Sequence, residues 1–349
     1  MNTQELVGLT HWIDEEIKSR QIVSLYTQLV EILQNNVNST PARSFNAEKE
    51  ALIHALRDVD VFRLSHEQRE FVKKLGLAEH VGVPGVAELE GLLFKNVLDI
   101  STAWTRAQAI RDAIQTAVSR SEQIQAGLVG LVELDDETDS QVLVRVVFEG
   151  AASIENIVSL KKWAAEWHDI GRGIAMAHDL PPEEVRVVGA QRGSIILVLA
   201  TTYAIASTVA IVLLKSLEVT QKVLTIRKTV EEIKALKLGN EKIALDLEAS
   251  IASERTKGIE RIAGDVSESV DGNVAGEKAV ALQKAVKKLV SFLEKGGQVD
   301  LVLPLDEDNV EVTADDPNVQ MKELRANVHQ IRTLEDQVKL LESNPANDD

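Results

Sequence analysis

Gly193–Leu214, which reads GSIILVLATTYAIASTVAIVLL, shapes every expectation about this chain because it carries no charge and no proline. A helix of about 20 apolar residues can cross a bilayer, so the length of the run permits a transmembrane segment. The run also divides, since Ser194–Ala200 is short and β-branched while Thr201 and Thr202 can cap a following helix. We therefore predict a buried strand and then a core helix over Tyr203–Leu214. The alternatives are a membrane span and a segment exposed to membrane or partner on activation.

The charges on either side of this run argue against a simple membrane span. Basic residues are denser after it than before it, so the positive-inside rule would place the C-terminal part in the cytoplasm. The acidic part before the run would then have to cross the membrane, although the opening residues MNTQELVGLTHWIDEE lack the features of a secretory signal. We expect a cytoplasmic protein, with the cytoplasmic membrane as the alternative location.

The composition excludes several classes of site. The 349 residues include no cysteine, so disulfides, thiolate metal sites and cysteine nucleophiles are excluded. A formal net charge of −17 repels phosphate backbones, and we expect no nucleic-acid partner. The length is enough for two or three domains with sizeable cores.

Residues 1–138 are predicted to form a helical domain. Apolar residues recur mostly at steps of three and four over Leu89–Leu131, which predicts one long amphipathic spine helix of about 40 residues. Ser65 and Gln68 have the spacing of a capping box at the start of a shorter helix. The acidic segment Glu133–Ser140 predicts a linker to the next domain.

Residues 139–200 are predicted to form a small α+β sheet unit. Alternation and helical periodicity predict a strand, a helix and two further strands: Gln141–Glu149, Ser153–Met176, Val185–Val188 and Ser194–Ala200. In this β-α-β-β order the first crossover should be parallel and right-handed. A hairpin turn is expected at Gly189–Gly193.

Residues 201–270 are predicted to form long helices that are first apolar and then amphipathic. Residues 271–349 should add a helix, a short strand over Val299–Leu305, a terminal coiled-coil-like helix after Pro317 and an acidic tail. The strand is a candidate to join the earlier sheet. The predicted fold class is therefore α+β, predominantly helical, with an N-terminal helical domain, a small β-α-β-β sheet and long C-terminal coiled-coil-like helices.

No catalytic motif stands out, and we expect no enzyme activity, bound cofactor or metal. His168-Asp169 and His178-Asp179 are the one candidate for metal binding or acid–base chemistry. No third ligand has suitable spacing near them. Gly189–Ser194 is one residue too short for a P-loop and lacks its lysine. A hairpin turn explains these glycines better than a phosphate site.

Two further clusters have a structural and a functional interpretation. Trp163 and Trp167 lie four residues apart on one helix face, which favours packing against the sheet over an interaction hot spot. A compact basic patch favours a solvated helix face, with anionic-lipid contact as a minor alternative; it consists of Lys284, Lys287, Lys288 and Lys295.

These features favour a non-enzymatic, oligomerising scaffold or adaptor that binds itself and an unidentified protein partner. The alternative hypothesis is a membrane-associated effector that inserts Gly193–Leu214 after oligomerisation. The predicted interaction residues are aliphatic and lie in the apolar run or on the coiled-coil-like faces: Ile195, Ile196, Val198, Ile205, Val209, Ile211, Val223, Ile226, Val230, Ile233, Leu324, Val328 and Ile331.

Overall fold

The computed structural model describes most of the chain and divides it into two compact units, Met1–Asp135 and Asp136–Asp349. The described residues are 1, 3–38, 41–95, 99–128, 142–191, 195–235, 241–270, 274–303 and 317–342. The predicted α+β, predominantly helical fold class is confirmed, because the described residues are mainly helical and contain one small sheet. The predicted boundary at residue 138 and the acidic tail lie outside the described residues.

The first unit is helical throughout its described part. Its helices are α1 (Thr3–Ile13), α2 (Ile22–Asn38), α3 (Asn46–Arg57), α4 (His66–Lys74), α5 (Gly82–Lys95) and α6 (Ile100–Leu128). Their apolar faces enclose one core, in which Tyr26, Leu52 and Ile114 are fully buried. The capping box is confirmed: the Gln68 backbone N–H donates to Ser65 Oγ, and Ser65 N–H donates to Gln68 Oε1 at 2.8 Å.

The predicted spine helix of this unit is divided in two. The periodic residues are shared between α5 and α6, with residues 96–98 outside the described part and Leu131 likewise. Asp99 explains the new start, because its carboxylate accepts a hydrogen bond from Thr102 N–H at 3.0 Å, as an N-cap residue does. Apolar spacing alone gave no sign of this break.

The second unit contains a four-stranded antiparallel sheet with the order β2-β3-β1-β4. The strands are β1 (Val142–Phe148), β2 (Arg186–Gln191), β3 (Ile195–Thr201) and β4 (Gln298–Val302). The last strand joins the sheet beside β1, although it comes about 150 residues later in the chain. The predicted hairpin joins β2 to β3, with residues 192–194 outside the described part.

The expected parallel crossover is present and passes over one intervening strand. Helix α7 (Ile157–Ala177) connects β1 to β2, and these strands do point the same way, since each is antiparallel to β3. They are not neighbours, however, because the tight β2–β3 hairpin places β3 between them. The result is a split β-α-β arrangement, and the same relation holds between β3 and β4 on either side of β1.

The three helices between β3 and β4 have different roles. They are α8 (Tyr203–Ala235), α9 (Glu241–Ser269) and α10 (Glu277–Leu293). Helix α10 packs antiparallel to α7, so that Trp163 meets Phe292 while Gly173 approaches Ala281. Helices α8 and α9 form a long hairpin, and α11 (Pro317–Glu342) packs along α8.

The apolar run divides at the predicted point. Its first part is β3, which lies between β1 and β2, and α8 begins two residues after β3 ends, at Tyr203. Within α8, Tyr203–Ile233 is long and apolar enough to cross a membrane, and 56% of its most apolar stretch is buried. A core helix of a soluble protein has the same properties, so length and composition do not distinguish the two.

A buried group of charged side chains joins α11 to the sheet. Arg332 donates to Asp300 Oδ1 at 3.0 Å and to the Leu301 carbonyl at 3.0 Å. Arg145 stands opposite Asp300 in the β1–β4 register, and Glu335 lies one turn beyond Arg332. All four charged side chains are buried, and their formal charges cancel.

Candidate interaction surfaces

The predicted interaction residues whose side chains the structure describes lie inside the chain's own packing. Ile195 and Ile196 are in β3, and their side chains are outside the described part. The other side chains are buried or half-buried; they are Val198, Ile205, Val209, Ile211, Val223, Ile226, Val230, Ile233, Leu324, Val328 and Ile331. Among the residues that the structure describes, none of these side chains therefore forms an exposed surface.

The coiled-coil-like faces meet within one chain. Leu324, Val328 and Ile331 of α11 belong to the core that also contains the apolar side of α8. Gln221 of α8 donates to Gln337 of α11 at 2.9 Å, which aligns the two helices. Helix α9 also packs against α8, and Lys215 of α8 forms an ion pair with Asp265 of α9.

The exposed large aliphatic side chains lie elsewhere, and the groups on β2 and α7 contain none of the predicted interaction residues. Two adjacent ones are on β2, where Val187 is 64% and Val188 is 55% exposed. Three are in the first turn of α7, where Ile157 is 80%, Val158 is 74% and Leu160 is 46% exposed. The spacing of these residues in the sequence does not predict their exposure, because only the packing shows which face of a strand or helix is covered.

The two edges of the sheet differ in their cover. At the β4 edge, α11 lies alongside, its Arg332 donates to the Leu301 carbonyl, and four of the five β4 residues are buried. At the other edge, β2 pairs with β3 alone among the described strands. An uncovered edge strand presents backbone donors and acceptors that can pair with another strand. The register of β2 shifts between Val187 and Gly189, so the strand carries an irregularity.

The basic patch of α10 is partly neutralised by α7. Lys288 contacts both Glu166 and Asp169, and Lys284 lies 3.0 Å from Asp169. Hydrogen bonds from Lys288 and then Lys284 lower the pKa of Asp169 to about 2. These lysines are held in intrachain pairs, whereas Lys295 lies with its ammonium 5.4 Å from the ring centre of Trp163.

The two histidine–aspartate pairs do not converge on one site. His168 is exposed beside Asp169, whereas His178 bonds Thr208 Oγ1 through Nε2 at 2.7 Å, and its burial lowers its pKa. Asp179 pairs with Lys278. Within the described ranges, no group of three His, Asp or Glu residues could hold a metal ion.

An apolar cavity of about 30 Å³ lies between the sheet and helices α7, α8 and α10. Its walls include Val144, Trp167, Gly171, Ile205 and Leu289. Ligand pockets usually measure about 300–1,000 Å³. This cavity is therefore about the size of a water molecule and too small for a substrate.

Two glycines of α7 are expected to respond oppositely to alanine. A Cβ at Gly171 would meet Val185 at 3.7 Å, an ordinary contact, whereas at Gly173 it would lie 2.5 Å from the Ala281 carbonyl oxygen and 2.6 Å from Ala285 Cβ. Gly171→Ala should stabilise by about 0.5–1 kcal/mol because glycine is a poor helix former. Gly173→Ala should destabilise by about 1–3 kcal/mol because α10 must move away.

The measurement for this pair is the free energy of opening of the β1 amides, from hydrogen exchange of the full chain. The two variants serve as controls for each other, since both add one methyl group to the same helix. A neutral Gly173→Ala would contradict the close packing of α7 on α10, and a destabilised Gly171→Ala would contradict the ordinary contact expected with Val185.

Comparison with family models, with curated proteins and with solved structures finds no match to this chain. The function is therefore inferred from the surfaces described above.

Proposed function

We propose that this protein is a non-catalytic interaction protein that self-associates through the open edge of β2. The observation that carries the proposal is the contrast between the two sheet edges: α11 covers β4, whereas β2 exposes its backbone edge and two valines. In this proposal, the coiled-coil-like faces of α8 and α11 hold one copy together and β2 joins two copies. The cytoplasm is the proposed location, and a further protein is the proposed partner, with no role for nucleic acid.

The sequence of β2 suits antiparallel pairing with a second copy. With the two-fold axis between Val188 and Gly189, Val187 faces Ala190 and Arg186 faces Gln191 of the other copy. The strand carries one charged residue, Arg186, so this register sets no like charges directly opposite each other. An isologous contact of this kind closes at a dimer, the commonest form of homo-oligomer. Because each copy has a net charge of −17, association should strengthen as salt screens the repulsion.

The test is the mass of the full chain in solution, with and without lysines on β2. We expect a dimer by sedimentation equilibrium, and Val187→Lys/Val188→Lys should raise its dissociation constant at least about tenfold, since the lysines of the two copies then lie in diagonal positions close to the two-fold axis. Val280→Lys/Leu340→Lys is the matched control, because both residues are similarly exposed outside β2. A monomeric parent chain, or equal effects of the two double variants, would refute this interface.

The second candidate function is a membrane-associated effector that inserts Gly193–Leu214. The observation in its favour is the apolar length of Tyr203–Ile233 in α8. Insertion of the whole run would require β3 to leave its position between β1 and β2. Resistance of the membrane-bound protein to an alkaline carbonate wash would support this candidate, and release by the wash would count against it.

A further inference from the structure

The start of α7 combines exposed aliphatic side chains with lysines. The proposed dimer contact on β2 contains exposed valines but no lysine. We define the α7 patch as Ile157, Val158, Leu160, Lys161, Lys162 and Lys295. Its three aliphatic residues occupy a single helical turn and are 80%, 74% and 46% exposed. Scattered exposed aliphatic residues are common on protein surfaces, but a contiguous group marks a contact with another molecule or a membrane.

The helix start that carries the patch is well ordered by local hydrogen bonds. Asn156 Oδ1 accepts from the backbone N–H groups of Val158 and Ser159, at 3.0 and 3.1 Å, and Ser159 Oγ accepts from Asn156 N–H at 3.1 Å. This capping box forms through hydrogen bonds alone and does not require contacts from the aliphatic side chains. The capping box therefore fixes the start of the helix, and Ile157 and Val158 are exposed in its first turn.

The lysines of the patch come after the aliphatic residues at helical spacing. Lys161 comes four residues after Ile157, and Lys162 comes four residues after Val158, so each lysine lies one turn behind an aliphatic side chain on the same face. The axial distance between the two rows is about 6 Å. If the start of α7 points toward the bilayer, aliphatic side chains buried about 5–10 Å deep leave the second row near the level of the phosphates.

The charges of the patch are available to an external anion. Lys161 and Lys162 are exposed, and in the described part of the chain no carboxylate pairs with either. The ammonium groups of Lys162 and Lys295 lie 5.5 and 5.4 Å from the ring centre of Trp163, which holds both near the same side of α7. Glu166, the next carboxylate along the helix, is occupied by Lys288. Three lysines thus lie close together at the start of α7, with the exposed Glu155 just before them, in a chain of net charge −17.

We propose that the α7 patch docks on the surface of an anionic lipid bilayer. Lysine is depleted in protein–protein interfaces, where aromatic residues and arginine are enriched, and the patch has exposed aliphatic residues and lysines instead. Lysines close to an anionic membrane attract its headgroups, and their long stems let the ammonium groups reach the phosphates while Ile157 and Val158 enter the acyl boundary. This contact leaves β3 and α8 in place, so it differs from insertion of the apolar run.

The experiment is cosedimentation of the full chain with vesicles of phosphatidylcholine alone or mixed with phosphatidylglycerol. We expect binding to the mixed vesicles, weakened by high salt, and little binding to the neutral ones. Lys161→Glu/Lys162→Glu should lower the partition coefficient at least about 25-fold, because each lysine near such a surface contributes about fivefold. Ile157→Ser/Val158→Ser should also abolish most binding, since the apolar contact is lost.

Matched variants separate the patch from general charge and hydrophobicity. Lys222→Glu/Lys257→Glu makes the same change in net charge on the exposed surface of the α8–α9 hairpin, and should keep most of the binding. Val280→Ser/Leu340→Ser removes two other exposed aliphatic side chains and should bind as the parent chain does. An absence of binding to anionic vesicles, or equal losses in patch and control variants, would overturn the proposal.

The oligomeric state distinguishes a lipid surface from a protein partner. If Ile157→Ser/Val158→Ser changed the mass of the protein in solution but not its partitioning, the patch would be a contact between copies and the lipid proposal would be wrong. The proposal is independent of β2, because the α7 patch contains no β2 residue and the β2 variants are tested by their mass in solution without lipid.

Discussion

Replacing Arg332 with methionine is expected to lower the free energy of unfolding of the second unit by about 3–5 kcal/mol. Arg332 is buried and donates hydrogen bonds to Asp300 and to the Leu301 carbonyl. Its removal changes a buried group of balanced charge into one with an excess negative charge, which the low dielectric of the interior makes unfavourable. The measurement is hydrogen exchange of the β1 and β4 amides in the full chain, which reports opening of this unit.

A double-mutant cycle provides the control for this prediction. Asp300→Asn should destabilise by a similar amount, because it removes the carboxylate that Arg332 contacts at 3.0 Å and leaves the group with an excess positive charge. Combining it with Arg332→Met restores charge balance between Arg145 and Glu335, so the double variant should be less destabilised than the sum of the single ones. Additive effects would show that Arg332 stabilises by packing alone, and a change below about 1 kcal/mol would contradict its burial in a charged network.

Replacing Phe292 with alanine is expected to cost about 3–5 kcal/mol. Phe292 is fully buried at the centre of an aromatic group, with ring centres 5.5 Å from Phe148, 5.2 Å from Trp163 and 5.3 Å from Trp167. Alanine would remove the edge-to-face contacts to all three rings and leave a cavity between the sheet, α7 and α10. Hydrogen exchange of β1 gives the loss in stability, and near-ultraviolet circular dichroism reports the altered tryptophan environment.

Phe292→Leu is the matched variant for this site. It keeps most of the buried volume and loses the aromatic contacts, so its cost should be below that of alanine by about 2 kcal/mol. Equal costs for the two variants would mean that ring contacts, and not filled volume, stabilise this part of the core. A cost below about 1 kcal/mol for alanine would contradict the packing of α10 on α7.

The local structure of the apolar run was predictable because local chemistry determines it. Ser194–Ala200 is β-branched, Thr201 and Thr202 interrupt the run, and the segment Tyr203–Leu214 has the length of a core helix. The strand near Val299 was predictable for the same reason, since its alternation is regular. The break before Ile100 was not, because apolar spacing continues across Asp99 and gives no sign that the aspartate begins a new helix.

The order of the strands and the cover of each surface depend on contacts between distant residues. Arg145 is buried in a group with Asp300, Arg332 and Glu335, which come more than 150 residues later in the chain. Heptad-like spacing identified faces that pack without specifying whether the partner helix is in the same chain. The exposure of Val187 and Ile157 likewise depends on which neighbours fold over them.

The position of β4 and α11 has a consequence for synthesis on the ribosome. Residues 1–135 hold all the elements of the first unit, so that unit can fold as soon as its last helix leaves the exit tunnel. The sheet of the second unit cannot be completed at that stage, because β1 waits for β4 and the buried Asp300 waits for Arg332. A nascent chain stalled after β1 and before β4 would expose the β1 edge, and chaperone binding or misassociation should be greatest at that stage.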